Sequence, residues 1–459
     1  MNTLKDKRIA FHTLGCKVNI YETEVMSGEA VREGAIPVDF SEKADIYVIN
    51  TCSVTNMADR KSRQMLRRAK KLSPDAVLVA TGCYVETENA ESLGNLGIDL
   101  LIGNEEKKDF VKVLTDYLEK GIRPVKTDIA GVKEYRREVL PSVRMHTRAD
   151  VKVQDGCNQF CTYCIIPFAR GRIRSKKPED VVREIADLAA QGISEFVLTG
   201  IHLSSYGLDF ETDGHVVADY KAVAANARNL LYLIGEVHKI DGVKRLRIGS
   251  LEPRIVTKAF AEGLKALPKV CHHFHLALQS GSDETLRRMN RHYTTAEYRE
   301  AVSNLRAVYE NPAVTTDVIV GFAGETEAEF AESLAFFEEM AFFEPNVFQY
   351  SKRKGTAAEK MPNQVPEPVK KERSERMLRV GERTSEAYRI GMLGKTVSVL
   401  TEEKVSADRV PAELRTVFGD SVYTGHTGEF LSVYTGSARK SNEIVNGKLE
   451  KIGNFYFVK

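Results

Sequence analysis

Residues 151–174 read VKVQDGCNQFCTYCIIPFARGRIR, a short apolar strand followed by a loop with three cysteines. Cys157, Cys161 and Cys164 have the spacing C-x3-C-x2-C on this loop. Three thiolates on one loop can hold three irons of a cubane cluster and leave the fourth iron open to chelation by a substrate. A zinc site is the alternative, but zinc normally takes a fourth protein ligand nearby, and this loop offers none. The loop therefore predicts an iron–sulfur cluster with one reactive iron.

The strand before this loop is the first of a series that alternates with helices. We predict strands at residues 151–155, 195–200, 244–250, 273–278, 314–321 and 346–351. Helical patterns between them include residues 178–191, 224–240 and 326–341. Six strand–helix units indicate a partial (β/α)6 TIM-like barrel, and active sites of such barrels lie at the carboxyl ends of the strands. The cysteine loop lies at that end.

The remaining chain has a different pattern on each side of this barrel. Residues 8–120 also alternate strands (8–13, 46–51, 76–81 and 98–102) with helices such as 20–33, 56–72 and 105–119. That alternation indicates a parallel sheet covered on both faces. From Gly394 onward, short β-rich runs with Gly turns are typical of a small barrel. The predicted fold class is multidomain α/β, with an N-terminal parallel α/β sheet, a central partial barrel and a small all-β barrel.

The predicted domain boundaries follow these changes of pattern. Residues 121–148 are basic and aperiodic, which is typical of a linker, and residues 367–390 form a charged helical segment. The parts are an N-terminal domain at 1–120, the linker at 121–148, the barrel at 149–375, a connecting helix at 376–390 and the small barrel at 391–459.

Cys16, Cys52 and Cys83 are scattered in the sequence, but each follows a predicted strand of the N-terminal domain. Ligands of open parallel sheets bind just outside the carboxyl ends of the strands, so three cysteines at three such ends can converge. The alternative is three buried structural thiols, a common state of cysteine. Such thiols lie within strands rather than at a repeated exit position, which favours convergence. Cys271 leads into a strand and is interpreted as a core thiol.

Composition and charge limit the classes of function. The chain has 459 residues, 42% hydrophobic and 28% charged, as in ordinary globular proteins. Lys and Arg number 66 against 64 Asp and Glu, so affinity for nucleic acid has to come from local clusters. We find neither a secretory signal nor an apolar run of about 18 residues, and expect a cytoplasmic protein without membrane contact. Seven cysteines in that reducing compartment favour metal or redox chemistry over disulfides.

These motifs together resemble those of the radical S-adenosylmethionine (SAM) methylthiotransferases. The resemblance covers nearly the whole chain, through motifs that include TLGCKVNIYETE, NTCSVTNMADRKSRQMLRR, ATGCY, QDGCNQFCTYCIIPFARGRIRS, GSLEP and TDVIVGFAGETE. In that family a methylthiotransferase domain, a radical SAM barrel and an OB-like TRAM domain follow in this order. Ala323 stands where the family usually has proline, a difference that concerns the rigidity of one loop.

The wording GCKVN-x-YET around Cys16 resembles the branch that modifies threonylcarbamoyladenosine at tRNA position 37, next to the anticodon. The isopentenyladenosine branch typically reads GCQMN-x-x-DS, and the branch that modifies an aspartate of a ribosomal protein reads GC-x-KN-x-VDS. Both are alternatives within the enzyme class. Outside it, the alternative is a non-catalytic iron–sulfur RNA-binding protein or an electron carrier, although a carrier normally ligates each cluster with four cysteines.

The resemblance implies two 4Fe–4S clusters and S-adenosylmethionine as cofactors. The cluster of the barrel loop would bind S-adenosylmethionine and cleave it to a 5′-deoxyadenosyl radical. The cluster on Cys16, Cys52 and Cys83 would carry the sulfur, methylated by a second S-adenosylmethionine, that replaces hydrogen at C2 of adenine. An aromatic C–H has no acidic proton for a general base, so cofactor radical chemistry is needed. The implied partners are the tRNA anticodon stem-loop, an electron donor and a sulfur source.

Family analogy implies further cofactor contacts at the strand ends of the barrel. Tyr163, before the last cluster cysteine, would border the adenine of S-adenosylmethionine, and Thr199 and Gly200 would contact its methionine part. Residues that could line the cavity are Ser250, Glu252, Gln279 and Ser280. Such residues at strand ends are also common as turn residues and caps, which is the alternative.

Local basic clusters predict contacts with RNA phosphates. On the helix after Cys52 the candidates are Arg60, Lys61, Arg63 and Arg67. After the radical loop they are Arg170, Arg172 and Arg174. Charge runs are usually solvated faces, which is the alternative. In the small barrel, the residues that could either stack on bases or fill the core are Tyr423, His426, Phe430 and Tyr434.

Overall fold

The computed structural model describes residues 3–88, 93–135, 138, 140, 147–210, 226–436, 438 and 440–459. The N-terminal domain contains β1 (Arg8–Thr13), α1 (Lys17–Arg32), β2 (Ile36–Val38), β3 (Ile46–Thr51), α2 (Asn56–Leu72), β4 (Val77–Gly82), α3 (Cys83–Thr87), β5 (Leu100–Ile102) and α4 (Phe110–Lys120). Its strands are parallel, in the order β2-β1-β3-β4-β5. Apolar clusters cover both faces, with Leu66 of α2 in one and Phe110 of α4 in the other. The predicted parallel sheet is confirmed.

The barrel domain follows with alternating strands and helices. Its elements are β6 (Arg148–Asp155), α5 (Ile166–Arg170), β7 (Arg174–Ser175), α6 (Pro178–Ala190), β8 (Glu195–Gly200), α7 (Ala227–His238), β9 (Arg245–Ile248), α8 (Lys258–Lys265), β10 (His273–His275), α9 (Asp283–Arg288), α10 (Thr295–Val308), β11 (Ala313–Thr315), β12 (Asp317–Val320), α11 (Glu327–Met340) and β13 (Asn346–Gln349). Parallel ladders and single bridges connect β6, β8, β9, β10, β11–β12 and β13 in turn. Within the described residues no pairing joins β13 back to β6, so the barrel is partial, as predicted.

We call the inside of this partial barrel the lumen, and it is polar. Along β6, Val151 and Val153 pack into the apolar core beneath the outer helices. Because side chains alternate along a strand, Asp150 and Lys152 point to the opposite face, toward the lumen. By the same alternation and register, further lumen residues are Arg148, Glu195, Arg247, His273, His275, Asp317 and Phe348.

The N-terminal domain covers the open side of the barrel. Helix α1 packs on β6 and β8. At the other edge, the amide of Asn56 in α2 donates to the carbonyl of Lys352, just after β13, at 3.0 Å. The buried guanidinium of Arg353 pairs with Asp59 of α2 and donates to Ser53. The sheet domain therefore bridges the two edges of the barrel and closes the lumen on that side.

A long helix and a small closed barrel complete the described chain. The elements are α12 (Glu367–Gly391), β14 (Thr396–Lys404), α13 (Ala412–Phe418), β15 (Tyr423–Thr427), β16 (Ser432–Thr435), β17 (Ile444–Ile452) and β18 (Phe455–Val458), and the strand order is β14-β15-β16-β18-β17. Of the helices described, none combines the length and the apolar composition that a bilayer crossing demands. The small barrel lies at the amino ends of the lumen strands, where Arg247 donates to the carbonyls of Thr427 and Gly428 at 2.7 and 2.9 Å.

Stacked rings join the small barrel to the lumen. Phe430 lies between His273 of β10, 5.1 Å away, and His426 of β15, 4.6 Å away. The guanidinium groups of Arg148 and Arg247 lie over the same ring at 5.3 and 4.8 Å. Both faces of Phe430 are therefore occupied inside the protein.

This arrangement favours packing within the protein over stacking on RNA bases, the two roles that the sequence left open for these residues of the small barrel. His426 and Phe430 belong to the interface with the lumen. Tyr423 is buried, and Tyr434 packs edge-on against Phe455 at 5.8 Å. Aromatic residues alternate with small ones in a barrel core as they do on a binding face, so the pattern alone did not separate the two.

The segment predicted to be a linker packs against the barrel. Tyr135 donates to the carbonyl of Lys152 at 3.1 Å, and Leu140 is buried in the barrel core. The described part of this segment therefore packs on the barrel domain, whereas a free linker between two domains was expected. Residues 136–137, 139 and 141–146 of this prediction, and 224–225 of the predicted helix 224–240, lie outside the described residues.

Acidification should weaken the docking of the small barrel. Burial, together with the charges of Arg148 and Arg247, lowers the pKa of His426 to about 4. The unfolded chain takes up this proton near pH 6.5. Stability from this group is therefore present above pH 6.5 and is lost as the pH falls toward 4, by about 2 kcal/mol at pH 4.5.

Denaturant unfolding of the wild type and of His426→Asn at pH 7 and pH 4.5 measures this loss. The variant lacks the titrating ring, so its free energy of unfolding should change less between the two pH values. An equal change in both proteins would show that His426 does not control the docking.

Candidate active site

Three cysteines, the N-terminal trio, lie at the carboxyl edge of the N-terminal sheet. Cys16 precedes α1 after β1, Cys52 follows β3, and Cys83 begins α3 after β4. Because β1, β3 and β4 are adjacent and parallel, their carboxyl ends meet at one edge. Gly15, next to Cys16, lies so close to Cys52 that a Cβ on it would be 3.0 Å from the Cys52 sulfur. The structure thus brings these three residues together.

Two glycines allow this close approach. Gly15 and Gly82, each directly before a cysteine of the trio, have φ values of 102° and 98°. A Cβ at Gly15 would lie 2.9 Å from Cβ of Cys52, and a Cβ at Gly82 would lie 2.4 Å from the carbonyl oxygen of Thr51. Side chains at either position would push the strand ends apart, so glycine is required at both.

The other three cysteines, Cys157, Cys161 and Cys164, form the barrel trio after β6. They line a cavity of about 190 Å³ at the carboxyl ends of the lumen strands. The cavity wall combines apolar, amide, acidic and cationic side chains: Gln159, Tyr163, Ile166, Ile201, His202, Ser250, Leu251, Glu252, Ala277, Gln279, Arg291 and Asp317. The wall therefore suits a ligand with both ring and charged parts.

Four of the predicted cofactor residues are part of this wall: Tyr163, Ser250, Glu252 and Gln279. Tyr163 also packs edge-on against Phe322, with ring centres 6.3 Å apart. Four of the seven predicted cofactor residues thus line the cavity.

The other three predicted cofactor residues do not reach the cavity. Thr199 is buried in register with Lys152, and Gly200 packs against the side chain of Gln154. Ser280 is fully buried, and its hydroxyl accepts from the N–H of Ser282 at 3.3 Å. These three residues are not part of the cavity wall, and their contact with S-adenosylmethionine stays a prediction.

Arg291 is a wall residue that the sequence patterns missed. Its Nη1 donates to Sγ of Cys161 at 3.3 Å, across a separation of 130 residues. Its guanidinium lies 4.8 Å from the ring centre of Tyr293. No local spacing signals such a contact, because it depends on how the α9 region folds back on the cysteine loop.

Glu252 supplies a fixed negative charge in the cavity wall. Burial raises the pKa of this carboxyl, but the neighbouring His202 and Arg254 outweigh it and bring the pKa to about 2. Arg254 Nη2 donates to Oε2 at 2.9 Å, and Nε2 of His202 lies 3.6 Å from the same oxygen. The carboxylate is therefore ionised throughout the physiological range.

Burial favours the protonated thiol at Cys52, Cys83 and Cys157. It raises the pKa of Cys52 to about 11 and that of Cys157 to about 12. Burial also raises the pKa of Cys83, against the opposing charge of Arg170. Because the thiolate is the metal ligand, metal binding here must release protons.

The spacing of the donors bears on the kind of metal centre. Ligands of one zinc ion, with Zn–S of about 2.3 Å, lie within about 4 Å of one another. In the part of the chain that the structure describes, no three His, Cys, Asp or Glu donors are close enough to share one ion. A cubane needs less close approach, because each thiolate binds its own iron.

A buried ion cluster lies between the two trios. Glu22 of α1 accepts from Lys107 at 2.6 Å, from Lys152 at 2.9 Å and from Arg170 at 3.1 Å. Asp155 of β6 lies 3.0 Å from Lys152 and 3.3 Å from Arg170. Burial raises the pKa of Glu22, but the three cations hold it well below its usual range. The cluster ties α1 of the N-terminal domain to the barrel.

This cluster corrects the predicted basic patch after the radical loop. Arg170 is fully buried, and its charge also acts on the thiol of Cys83. Arg174 is 5% exposed and lies 3.7 Å from Asp155. Neither guanidinium reaches the surface, so the expectation that these two arginines contact RNA is wrong.

The remaining predicted RNA residues are accessible to different degrees. Arg172 is half-buried, with its guanidinium 4.6 Å from the ring centre of Phe160. On α2, Arg63 lies over the ring of Tyr84 at 5.9 Å. The exposed cations of this helix are Arg60, Lys61, Arg67, Arg68 and Lys71. Helix α2 thus presents a basic outer face.

Comparisons with known proteins match this arrangement. A family model described as the radical SAM superfamily matches residues 151–337, and one described as uncharacterized protein family UPF0004 matches residues 8–103. The "Threonylcarbamoyladenosine tRNA methylthiotransferase MtaB" of Bacillus subtilis (strain 168) is 38% identical over 452 residues, 98% of this chain and 95% of that protein. The "tRNA-2-methylthio-N(6)-dimethylallyladenosine synthase" of Caldicellulosiruptor saccharolyticus is 35% identical over 407 residues, 87% of this chain and 83% of that protein.

Among solved structures, the radical S-adenosylmethionine methyltransferase TsrM from Kitasatospora setae, with cobalamin and a 4Fe–4S cluster bound, is similar to this chain. The TM-score is 0.52 at 15% identity, over 75% of each chain. At that identity the likeness is one of fold.

Each trio should hold its own share of iron. After anaerobic reconstitution with iron and sulfide, we expect about eight irons per wild-type chain and about four in the triple alanine variant of the N-terminal trio. Iron analysis and visible absorption measure both. The buried Cys271 belongs to neither trio, so Cys271→Ala is the matched control and should keep about eight irons. A chain that binds about one zinc and has no visible absorption would refute the two-cluster reading.

Removing Arg170 should destabilise the junction of the two domains. Arg170→Met leaves Glu22 and Asp155 buried with less positive charge, at an expected cost of about 3–5 kcal/mol in the free energy of unfolding. Arg172→Met, which loses a partly exposed cation–ring contact, should cost about 1 kcal/mol or less. Denaturant unfolding at pH 7 compares them, and equal costs would show that the ion cluster does not hold the domains together.

Proposed function

Because this chain belongs to the radical SAM methylthiotransferase family, we propose that it modifies tRNA by placing a methylthio group on C2 of threonylcarbamoyladenosine at position 37. The arrangement that supports this proposal is that the domain carrying the N-terminal trio covers the open side of the barrel, while the barrel trio lines a cavity at the carboxyl ends of the lumen strands. A reaction that joins a carbon radical to a sulfur donor needs two such centres on opposite sides of one substrate.

Two observations support a shared lumen. Glu22 of α1, the helix that begins after Cys16, accepts from the lumen residue Lys152 at 2.9 Å. The cavity at the barrel trio extends to Asp317, which also faces the lumen. A base held in the lumen would have the barrel trio on one side and Cys16 on the other.

The residues present fit two 4Fe–4S clusters and S-adenosylmethionine. Each trio offers three thiols and would leave one corner of a cubane without a protein ligand. The amino end of α1, which begins after Cys16, favours negative charge at the N-terminal trio. Beside the barrel trio, the buried Nε of Arg291 has no hydrogen-bond partner among the described residues, as expected where a polar ligand binds. When bound, these groups supply the one-electron and sulfur-transfer chemistry that side chains cannot.

The chain's own residues would bind and orient the reactants and exclude water. The ionised Glu252 is suited to an amino group of the cofactor, and Tyr163 offers a ring to its adenine. Phe348, 45% exposed, faces the lumen and can stack on the substrate base. The N-terminal domain covers the open side of the barrel, so the reacting ring would be shielded from solvent.

We assign the tRNA contact to the surface beside the lumen. The basic outer face of α2 begins next to the segment after β13, so phosphates of the anticodon stem-loop can meet Arg60, Lys61 and Arg67 there. The small closed barrel would be a TRAM domain of OB-like type, a class that binds nucleic acid strands. An electron donor and a sulfur source complete the partners, and the cytoplasm, where tRNA is modified, is the proposed compartment.

The choice of threonylcarbamoyladenosine rests on the wording GCKVN-x-YET at residues 15–23 and on the MtaB relative that spans nearly the whole chain. The dimethylallyladenosine synthases are similar enough that an experiment has to separate the two substrates.

Deleting the gene and analysing nucleosides from digested tRNA tests the proposal. We expect loss of 2-methylthio-threonylcarbamoyladenosine and accumulation of its precursor, with the isopentenyl derivative unchanged. The wild-type gene should restore the product, and a gene carrying Cys52→Ala should not, whereas Cys271→Ala should restore it. Loss of the isopentenyl product instead would refute the assignment of substrate.

A further inference from the structure

Lys17 brings a positive charge from the N-terminal trio into the lumen. It is the first residue of α1, directly after Cys16, and its side chain is exposed rather than packed. The charges that act on its ammonium group come from lumen residues: Asp150, Arg247, Arg148 and Glu195. Lys17 lies one helical turn before Tyr21, whose hydroxyl donates to Glu184 of the barrel at 2.8 Å. Glu22, next to Tyr21, accepts from the lumen residue Lys152 at 2.9 Å. Lys17 is therefore on the side of α1 that faces the barrel lumen.

Other lumen cations are already engaged. Arg247 pairs with Glu195 at 2.9 Å and donates to two carbonyls of the small barrel. Arg148 pairs with Glu195 at 3.3 Å and with Glu402. By contrast, within the described residues no hydrogen bond or ion pair holds the ammonium group of Lys17. Lys17 can accept an anionic group without losing an existing contact.

The substrate of the proposed function has an anionic group that can lie close to the ammonium group of Lys17. The N6 substituent of threonylcarbamoyladenosine ends in the carboxylate of threonine, whereas the substituent of isopentenyladenosine is apolar. The ureido N–H beside threonine can donate to N1 of the base and close a six-membered ring. In that conformation the carboxylate lies on the N1 edge, beside C2. A base with C2 at the N-terminal trio then directs its carboxylate toward the residue next to Cys16.

We propose that Lys17 binds the threonine carboxylate of the N6 substituent and so selects threonylcarbamoyladenosine over adenosines with uncharged substituents. This inference rests on the proposed function and adds the residue that reads the substituent. An ammonium–carboxylate hydrogen bond is stronger in a partly enclosed lumen than on an exposed surface.

The test compares two anticodon stem-loops of identical sequence, with threonylcarbamoyladenosine or plain adenosine at position 37. We expect the reconstituted wild type to bind the first about ten-fold more tightly, as measured by fluorescence anisotropy. Lys17→Gln and Lys17→Met should lose this preference, and Lys17→Arg should keep most of it. Lys112→Gln, which changes an exposed lysine of α4, is the matched control and should behave as the wild type.

The measurements distinguish a failure of this inference from a failure of the proposed function. Iron content and cleavage of S-adenosylmethionine should be unchanged in the Lys17 variants, while KM for the modified stem-loop rises. An equal loss of affinity for both stem-loops would indicate a phosphate contact and overturn the inference, as would an unchanged preference in both uncharged variants. A wild type that binds the modified stem-loop but does not methylthiolate it would instead refute the proposed function.

Discussion

The buried carboxylate of Glu22 is the interaction on which the relation of the two large domains depends. Three cations surround it, and removing one leaves charge unpaired in a medium of low dielectric constant. Lys107 belongs to the N-terminal domain, whereas Lys152 and Arg170 belong to the barrel. The ion cluster therefore fixes how the N-terminal sheet sits against β6, and that placement decides whether both cysteine trios border the same lumen.

The lumen differs from the inside of a complete TIM barrel, which is filled by layers of branched apolar side chains. Here Asp150, Glu195 and Arg247 face inward, and Arg247 pairs with Glu195 at 2.9 Å. The surrounding domains use these charges: the small barrel accepts hydrogen bonds from Arg247, and α1 of the sheet domain packs on β6. A polar interior is thus compatible with stability because neighbouring domains cover it.

Features of this fold that depend on neighbouring residues could be predicted from the sequence, whereas contacts between distant parts of the chain could not. The bounds of β1, β3 and α2 agree residue for residue with the apolar runs and helical periodicity, since these signals are local. Strand β2 was missed because it is a three-residue edge strand that contains Pro37. Convergence of the N-terminal trio was predictable from strand exits. Burial of Arg170 was not, because its partner Glu22 lies 148 residues away and no local pattern reports that pairing.

The ion cluster around Glu22 also has a consequence for biosynthesis. On the ribosome, α1 emerges long before Lys152 and Arg170, so Glu22 must wait in water until the first strand and helix of the barrel have been translated. The nascent sheet domain can form its own strands early, but it cannot bury that face of α1 on its own. Folding of the first two domains is therefore linked in time. A gene fusion that separates them would leave Glu22 in one part and its partners Lys152 and Arg170 in the other.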